Sequence, residues 1–174
     1  MNRAQFEHAV RAAAAVAGEH EVIVIGSQAV HAWIEEGIPD AAMRSVEADI
    51  ALRHDVDGSK ADLIDGSIGE ASLFQETFGI YAHGVSVTVA LLPRGWEQRL
   101  VRFATPATGG VVAWCLSPQD LWVAKALAGR PKDFELCRAL LHAGVVRRDA
   151  LGGLIDDTEA HAAKKRAARQ LLAE

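Results

Sequence analysis

Apolar and polar positions along this chain alternate between a helical and a strand-like period, and glycines and prolines mark where the period changes. Residues 3 to 17 (RAQFEHAVRAAAAVA) carry alanines and helix formers behind Asn2, with Gly18 after them. That pattern predicts a first helix with an asparagine cap and a glycine stop. EVIVI, 21 to 25, is a short β-branched run closed by Gly26, which predicts a buried strand. From Gln28 to Glu36, Ala29, Ala32 and Trp33 recur at helical spacing until Gly37, Pro39 and Asp40 break it, so a second helix is expected there. SVEADIALR, 45 to 53, has period two: Val46, Ala48, Ile50 and Leu52 point one way, and Glu47, Asp49, Ala51 and Arg53 the other. HDVDGSKAD reads as a loop, and residues 60 to 78, interrupted by glycines, as one helix or two. GVSVTVALLP, 84 to 93, predicts a strand ending at a proline, and GGVVAWCLSP holds a fourth.

The last sixty residues read as helical. Ser117 as cap, Pro118 in the first turn and Asp120 at the third position open a helix that DLWVAKALA carries to Gly129. After Pro131, KDFELCRALLHA predicts another helix reaching Gly144. Asp156, Asp157 and Thr158 offer a cap for a last helix, EAHAAKKRAARQLLA. The whole is an α/β (α+β) chain forming a single domain over residues 1–174, with a strand-rich core at about 20–115 and a helical part at about 117–174.

Composition narrows the classes. Half of the 174 residues are apolar and 24% charged, a soluble globular balance large enough for a core without metal or disulfide staples. A net charge of -5 argues against a globally basic nucleic-acid binder. Cys115 and Cys137 lack CxxC or His/Cys ligand spacing, so reduced thiols are expected and zinc is not. Glu7, His8 and Arg11 interrupt the only signal-like segment, and no run approaches the roughly 18 apolar residues of a membrane span. A cytoplasmic protein is expected, with no membrane partner.

Two local patterns carry candidate chemistry. Gly26 and Ser27 stand between a strand and an expected helix, where unpaired N–H groups and the positive dipole end favour phosphate; the other reading is a simple turn. Glu47 and Asp49, two apart on a strand, project from one face near enough to share a hard cation such as Mg²⁺; the other reading is a solvated strand face. GxGxxG and GxxxxGK[ST] are both absent, which disfavours Rossmann and P-loop sites.

Gly26-Ser27 followed by Arg44-Ser45-x-Glu47-x-Asp49 resembles the signature of the nucleotidyltransferase (polymerase-beta-like) superfamily. SPQDLWVAKALAGRPKDFELCRALL resembles a stretch of the minimal nucleotidyltransferases, a group that includes abortive-infection-type toxins and uncharacterised relatives; Lys125, Arg130 and Asp133 fall on its lysine, arginine and aspartate positions. LPRGWEQRL, 92 to 100, is similar to a segment after the central strands of those relatives, so the likeness covers about residues 20 to 143. The resemblance implies a mixed sheet flanked by helices. It implies nucleotide binding at Gly26, Ser27, Arg44, Lys125 and Arg130, and Mg²⁺ on Glu47 and Asp49. The catalytic set would be Glu47, Asp49, Lys125 and Asp133, with Asp133 orienting Lys125 or Arg130 or acting as base. The substrate would be an NTP and the acceptor RNA or protein.

The chain departs from that family in two places. Glutamate stands at the first carboxylate position, and the expected neighbouring strand, VSVTVALL, lacks the third carboxylate that many members carry. His83 just before it is a candidate replacement base or a structural histidine. The departures leave open an active toxin-like site, a degenerate nucleotide-binding or partner-binding module, such as one half of a toxin-antitoxin-like pair, and an inactive scaffold. Lys164, Lys165, Arg166 and Arg169 form either an RNA-phosphate contact or a solvated helix face. Trp33, Trp96, Trp114 and Trp122, set among apolar neighbours, are expected to pack rather than to stack on bases.

Overall fold

The computed structural model describes residues Met1–Glu174. Its first helix, α1 (Arg3–Ala17), starts and stops at the expected signals. The Asn2 side chain accepts from Gln5 N–H while the Gln5 side chain accepts from Asn2 N–H, each at 2.9 Å, and Gly18 closes the helix in the left-handed region at φ 67°. Phe6, Ala9, Val10, Ala13, Ala14 and Ala17 form its buried stripe.

Five strands follow in one sheet: β1 (Glu21–Val24), β2 (Glu47–Ala51), β3 (Tyr81–Gly84), β4 (Val101–Phe103) and β5 (Val112–Cys115), in the order β3-β2-β1-β5-β4. β1 runs parallel to β5 and antiparallel to β2, β2 is parallel to β3, and β4 is antiparallel to β5, so the sheet is mixed. Between the strands lie α2 (Asp40–Met43), α3 (Ser59–Ile68) and α4 (Leu73–Phe78), which resolves the ambiguous 60–78 stretch into two helices. The C-terminal part is helical: α5 (Pro118–Ala128), α6 (Pro131–His142), α7 (Arg148–Asp157) and α8 (Ala162–Ala173). α1 packs with α3 beside β2 and β3, and α6, α7 and α8 all pack on α5, whose Trp122 is fully buried and donates from its indole to Cys137 O at 3.0 Å. Trp33, Trp96 and Trp114 pack half-buried against the core. No helix is long and apolar enough to cross a membrane.

Four expectations are corrected. The helix expected over 28–36 is a 3₁₀ segment at Ser27–Ala32. There the Gln28 amide turns into the core to donate to Ala42 O at 3.0 Å, and the Trp33 indole ties the chain to Leu116 O at 3.1 Å, so the helix does not propagate. The strand expected over 84–93 ends where it was to begin, at Gly84. A Cβ on Gly84 would meet Ala61 O at 2.1 Å, and Ser86 then caps a 3₁₀ turn at Val87–Val89, leaving Val89 66% exposed. β4 was not anticipated; three residues give too short an alternation to register. Asp156, Asp157 and Thr158 close α7, a helix the sequence pattern did not separate, and α8 begins after His161.

Candidate functional site

β2 and β3 bring three polar side chains to one place. In their parallel register Asp49 pairs with His83 and Glu47 with Tyr81, so Glu47, Asp49 and His83 share a face. His83 Nδ1 lies 3.2 Å from Glu47 Oε1 and 3.5 Å from Asp49 Oδ1, and one donor atom from each residue lies within 4.8 Å of the others. Two carboxylates and an imidazole at that spacing suit a divalent cation. This face is therefore not a plain solvated strand: Glu47 and Asp49 are half-buried at the floor of a cleft of about 940 Å³.

Gly26 explains why Asp49 fits. It is buried directly behind the carboxylate, and a Cβ there would stand 1.9 Å from Asp49 Oδ2 and 2.7 Å from Asp49 Cγ. The glycine thus makes room for the Asp49 carboxylate. Ser27 beside it lines the cleft. Because a 3₁₀ segment of six residues replaces the expected α-helix, little macrodipole reaches this end, and the positive groups that line the cleft are side chains.

Most of those side chains come from the helical part, and one from α2. Lys125 on α5, Arg130 between α5 and α6, and Arg44 at the end of α2 line the same cleft as the two carboxylates. Asp133 is 2% exposed in the first turn of α6 and is fully engaged. Its Oδ2 accepts from Arg130 Nε at 2.6 Å and from Arg130 N–H at 3.3 Å, and its Oδ1 accepts from Arg130 Nη2 at 3.2 Å and faces Lys125 Nζ at 3.8 Å. Both of its oxygens are occupied by cations, which suits an orienting role better than proton acceptance. The same carboxylate raises the Arg130 pKa, chiefly through the hydrogen bond, so Arg130 stays a fixed cation. Arg44 pairs with Glu135 at 2.6 Å on the exposed rim.

Two basic residues outside the expected phosphate-binding set also line the cleft: Lys132, and Lys164 from α8. Lys165 and Arg169 turn away to Asp156. The LPRGWEQRL and SPQD segments meet elsewhere and serve the fold: Arg99 grips the fully buried Asp120 with Nη2 at 2.7 Å and Nε at 3.0 Å, and Ser117 Oγ donates to the same carboxylate at 2.6 Å. His83 belongs to β3 rather than to a loop before it. Its signal was the short alternation Ile80-Tyr81-Ala82-His83 between Gly79 and Gly84, overshadowed by the longer apolar run that follows.

A family model described as "nucleotidyltransferase of unknown function (DUF6036)" matches residues 5–173. No curated protein and no solved structure matches the chain.

Proposed function

The chain belongs to this nucleotidyltransferase family, and on that premise we propose that it transfers a nucleotidyl group from a Mg²⁺-bound NTP to a hydroxyl of an RNA or protein acceptor. The observation that carries the reading is the mixed charge of one cleft: the β2 carboxylates Glu47 and Asp49 share it with Lys125, Arg130 and Arg44. A metal–polyphosphate ligand has the complementary charge pattern. Glu47 and Asp49 would hold Mg²⁺, which when bound neutralises phosphate oxygens and orients them. Lys125, 13% exposed in its side chain, keeps a compact positive charge at the cleft wall, and Asp133 positions it together with Arg130. Ser27 offers a hydroxyl donor to a phosphate oxygen. The acceptor oxygen bonds to the α-phosphorus as the bond to pyrophosphate breaks, and the acceptor proton passes to water. Such chemistry depends on positioning and fixed charge, so a few well-held residues suffice.

The test is thermal denaturation with each NTP, with and without Mg²⁺, on the native protein and on Asp49→Asn, followed by transfer of label from a radioactive NTP. Ligand at a hundred times its dissociation constant stabilises the fold by about 2.7 kcal/mol. A metal-dependent shift lost in Asp49→Asn, with label entering an acceptor, supports the reading. A shift without transfer to RNA, protein or a small molecule selects a noncatalytic nucleotide-binding module, and no shift with any NTP removes both.

A further inference from the structure

His83 occupies the β3 position paired with Asp49, whereas the neighbouring strand expected from sequence began after it and lacked a third carboxylate. Its ring has carboxylates on two sides. Nδ1 faces Glu47 and Asp49 at 3.2 and 3.5 Å, while Nε2 faces Asp65 Oδ2, from α3, at 3.9 Å. Asp65 is itself fixed, because its Oδ1 accepts the Gly84 N–H at 2.7 Å, the residue next to His83 on the same strand. One ring nitrogen is thus directed at two carboxylates that suit a cation, and the other at a carboxylate pinned to the strand backbone. A carboxylate on the far side of an imidazole ligand, once it accepts from the second ring nitrogen, fixes the tautomer and raises the basicity of the ligating nitrogen.

We infer that His83 is the third ligand of the cation site through Nδ1, that Asp65 is its orienting carboxylate, and that the site favours a first-row transition-metal ion such as Mn²⁺ over Mg²⁺. The inference rests on reading the cleft as a nucleotidyl-transfer site and deepens it by assigning the metal class. The reason is ligand chemistry. Replacing a third carboxylate with neutral imidazole lowers the negative charge of the ligand set, which weakens the hold on a hard cation such as Mg²⁺ that bonds by charge to oxygen. Imidazole nitrogen instead gains affinity along the transition-metal series. The competing explanation is that the His83 ring merely packs against the two acids, in which case it carries no metal.

The experiment uses the full chain and Mn²⁺ as probe, with and without NTP. Free Mn²⁺ is titrated by its paramagnetic resonance, Mg²⁺ is added in competition, and pulsed measurements detect coupling of the bound ion to a ligating ¹⁴N. Variants are His83→Asp, His83→Gln, Asp65→Asn and Asp49→Asn, each checked for folding by circular dichroism. The expected result is an imidazole nitrogen coupling in the native protein, absent in His83→Asp and His83→Gln. His83→Asp should also lower the Mn²⁺-over-Mg²⁺ preference about tenfold, as a hard oxygen replaces nitrogen. Asp65→Asn should keep the coupling and weaken Mn²⁺ roughly 10- to 100-fold, as loss of an orienting partner does. Mn²⁺ bound in an Asp49-dependent way but without nitrogen coupling, and with an unchanged preference in His83→Asp, overturns the inference and leaves the nucleotidyl-transfer reading standing. No Mn²⁺ binding in either condition overturns both.

Discussion

Gly26→Ala tests whether the Gly-Ser turn exists to seat Asp49. The backbone at Gly26, φ -96° and ψ -172°, is open to any residue, so alanine brings no conformational strain and loses less entropy on folding, worth about 0.4–1 kcal/mol of stability. Against this, the new methyl would stand 1.9 Å from Asp49 Oδ2, where ordinary contact begins at 3.4 Å. The carboxylate must therefore retreat by roughly 1.5 Å, and overpacking of this kind costs about 1–3 kcal/mol. The balance is a loss of about 1–2 kcal/mol, or a few degrees in Tm at this chain length. Asp49→Gly removes all three close atoms of the clash, Oδ2, Cγ and Cβ, so in that background Gly26→Ala should be nearly neutral. Urea denaturation of the two single variants and the double variant measures the coupling, expected at about 1 kcal/mol or more. Cation affinity, read by Mn²⁺ titration, should fall roughly 10- to 100-fold in Gly26→Ala alone, as when the surroundings that orient a metal ligand are disturbed. Stability changes that add within about 0.5 kcal/mol, or unchanged cation affinity, would refute the account.

Four further outcomes are expected. His31, 1% exposed and stacked on Phe6, donates from Nε2 to Gln28 Oε1 and leaves Nδ1 buried without a partner, so burial lowers its pKa from 6.5 to about 4. A folded pKa below the unfolded one means that the unfolded chain binds more protons. Stability should thus be full above pH 6.5 and fall by up to about 3 kcal/mol as pH drops towards 4, and urea midpoints of His31→Phe should lack this slope. Arg99→Ala strands the buried Asp120 carboxylate and should cost roughly 3 kcal/mol in denaturant unfolding, while leaving cation affinity in the cleft unchanged. Lys125→Met should lower NTP affinity in thermal-shift titrations with little loss of Tm. Asp133→Ala should reduce both, because it leaves Lys125 without its positioning carboxylate in a partly buried wall. Burial pushes the Cys137 thiol up to about 12 and raises Cys115 as well, so neither should react with iodoacetamide at pH 8 until the protein unfolds.

The sequence by itself determined the elements whose signals are local. Asn2, Gly18 and the Ser117-Pro118-Asp120 start marked helix ends because capping is a contact between residues three or four apart. EVIV and EADIA announced strands because branching and period two act within a few residues, and the one-residue gap placed Glu47 and Asp49 on one face before any partner strand was known. The tertiary structure decided what depends on neighbours distant in the chain. Strand order seated His83 against Asp49, and the tight approach of Gly84 to Ala61 ended β3 while apolar residues were still to come. Burial of Gln28 and His31 shortened a helix that periodicity favoured. Packing of α6 on α5 turned Asp133 from a possible base into the carboxylate that holds Lys125 and Arg130. Spacing in the sequence can align side chains along one element. Joining β2, β3 and two later helices around a single cleft takes the sheet pairing and the buried core, which no local pattern encodes.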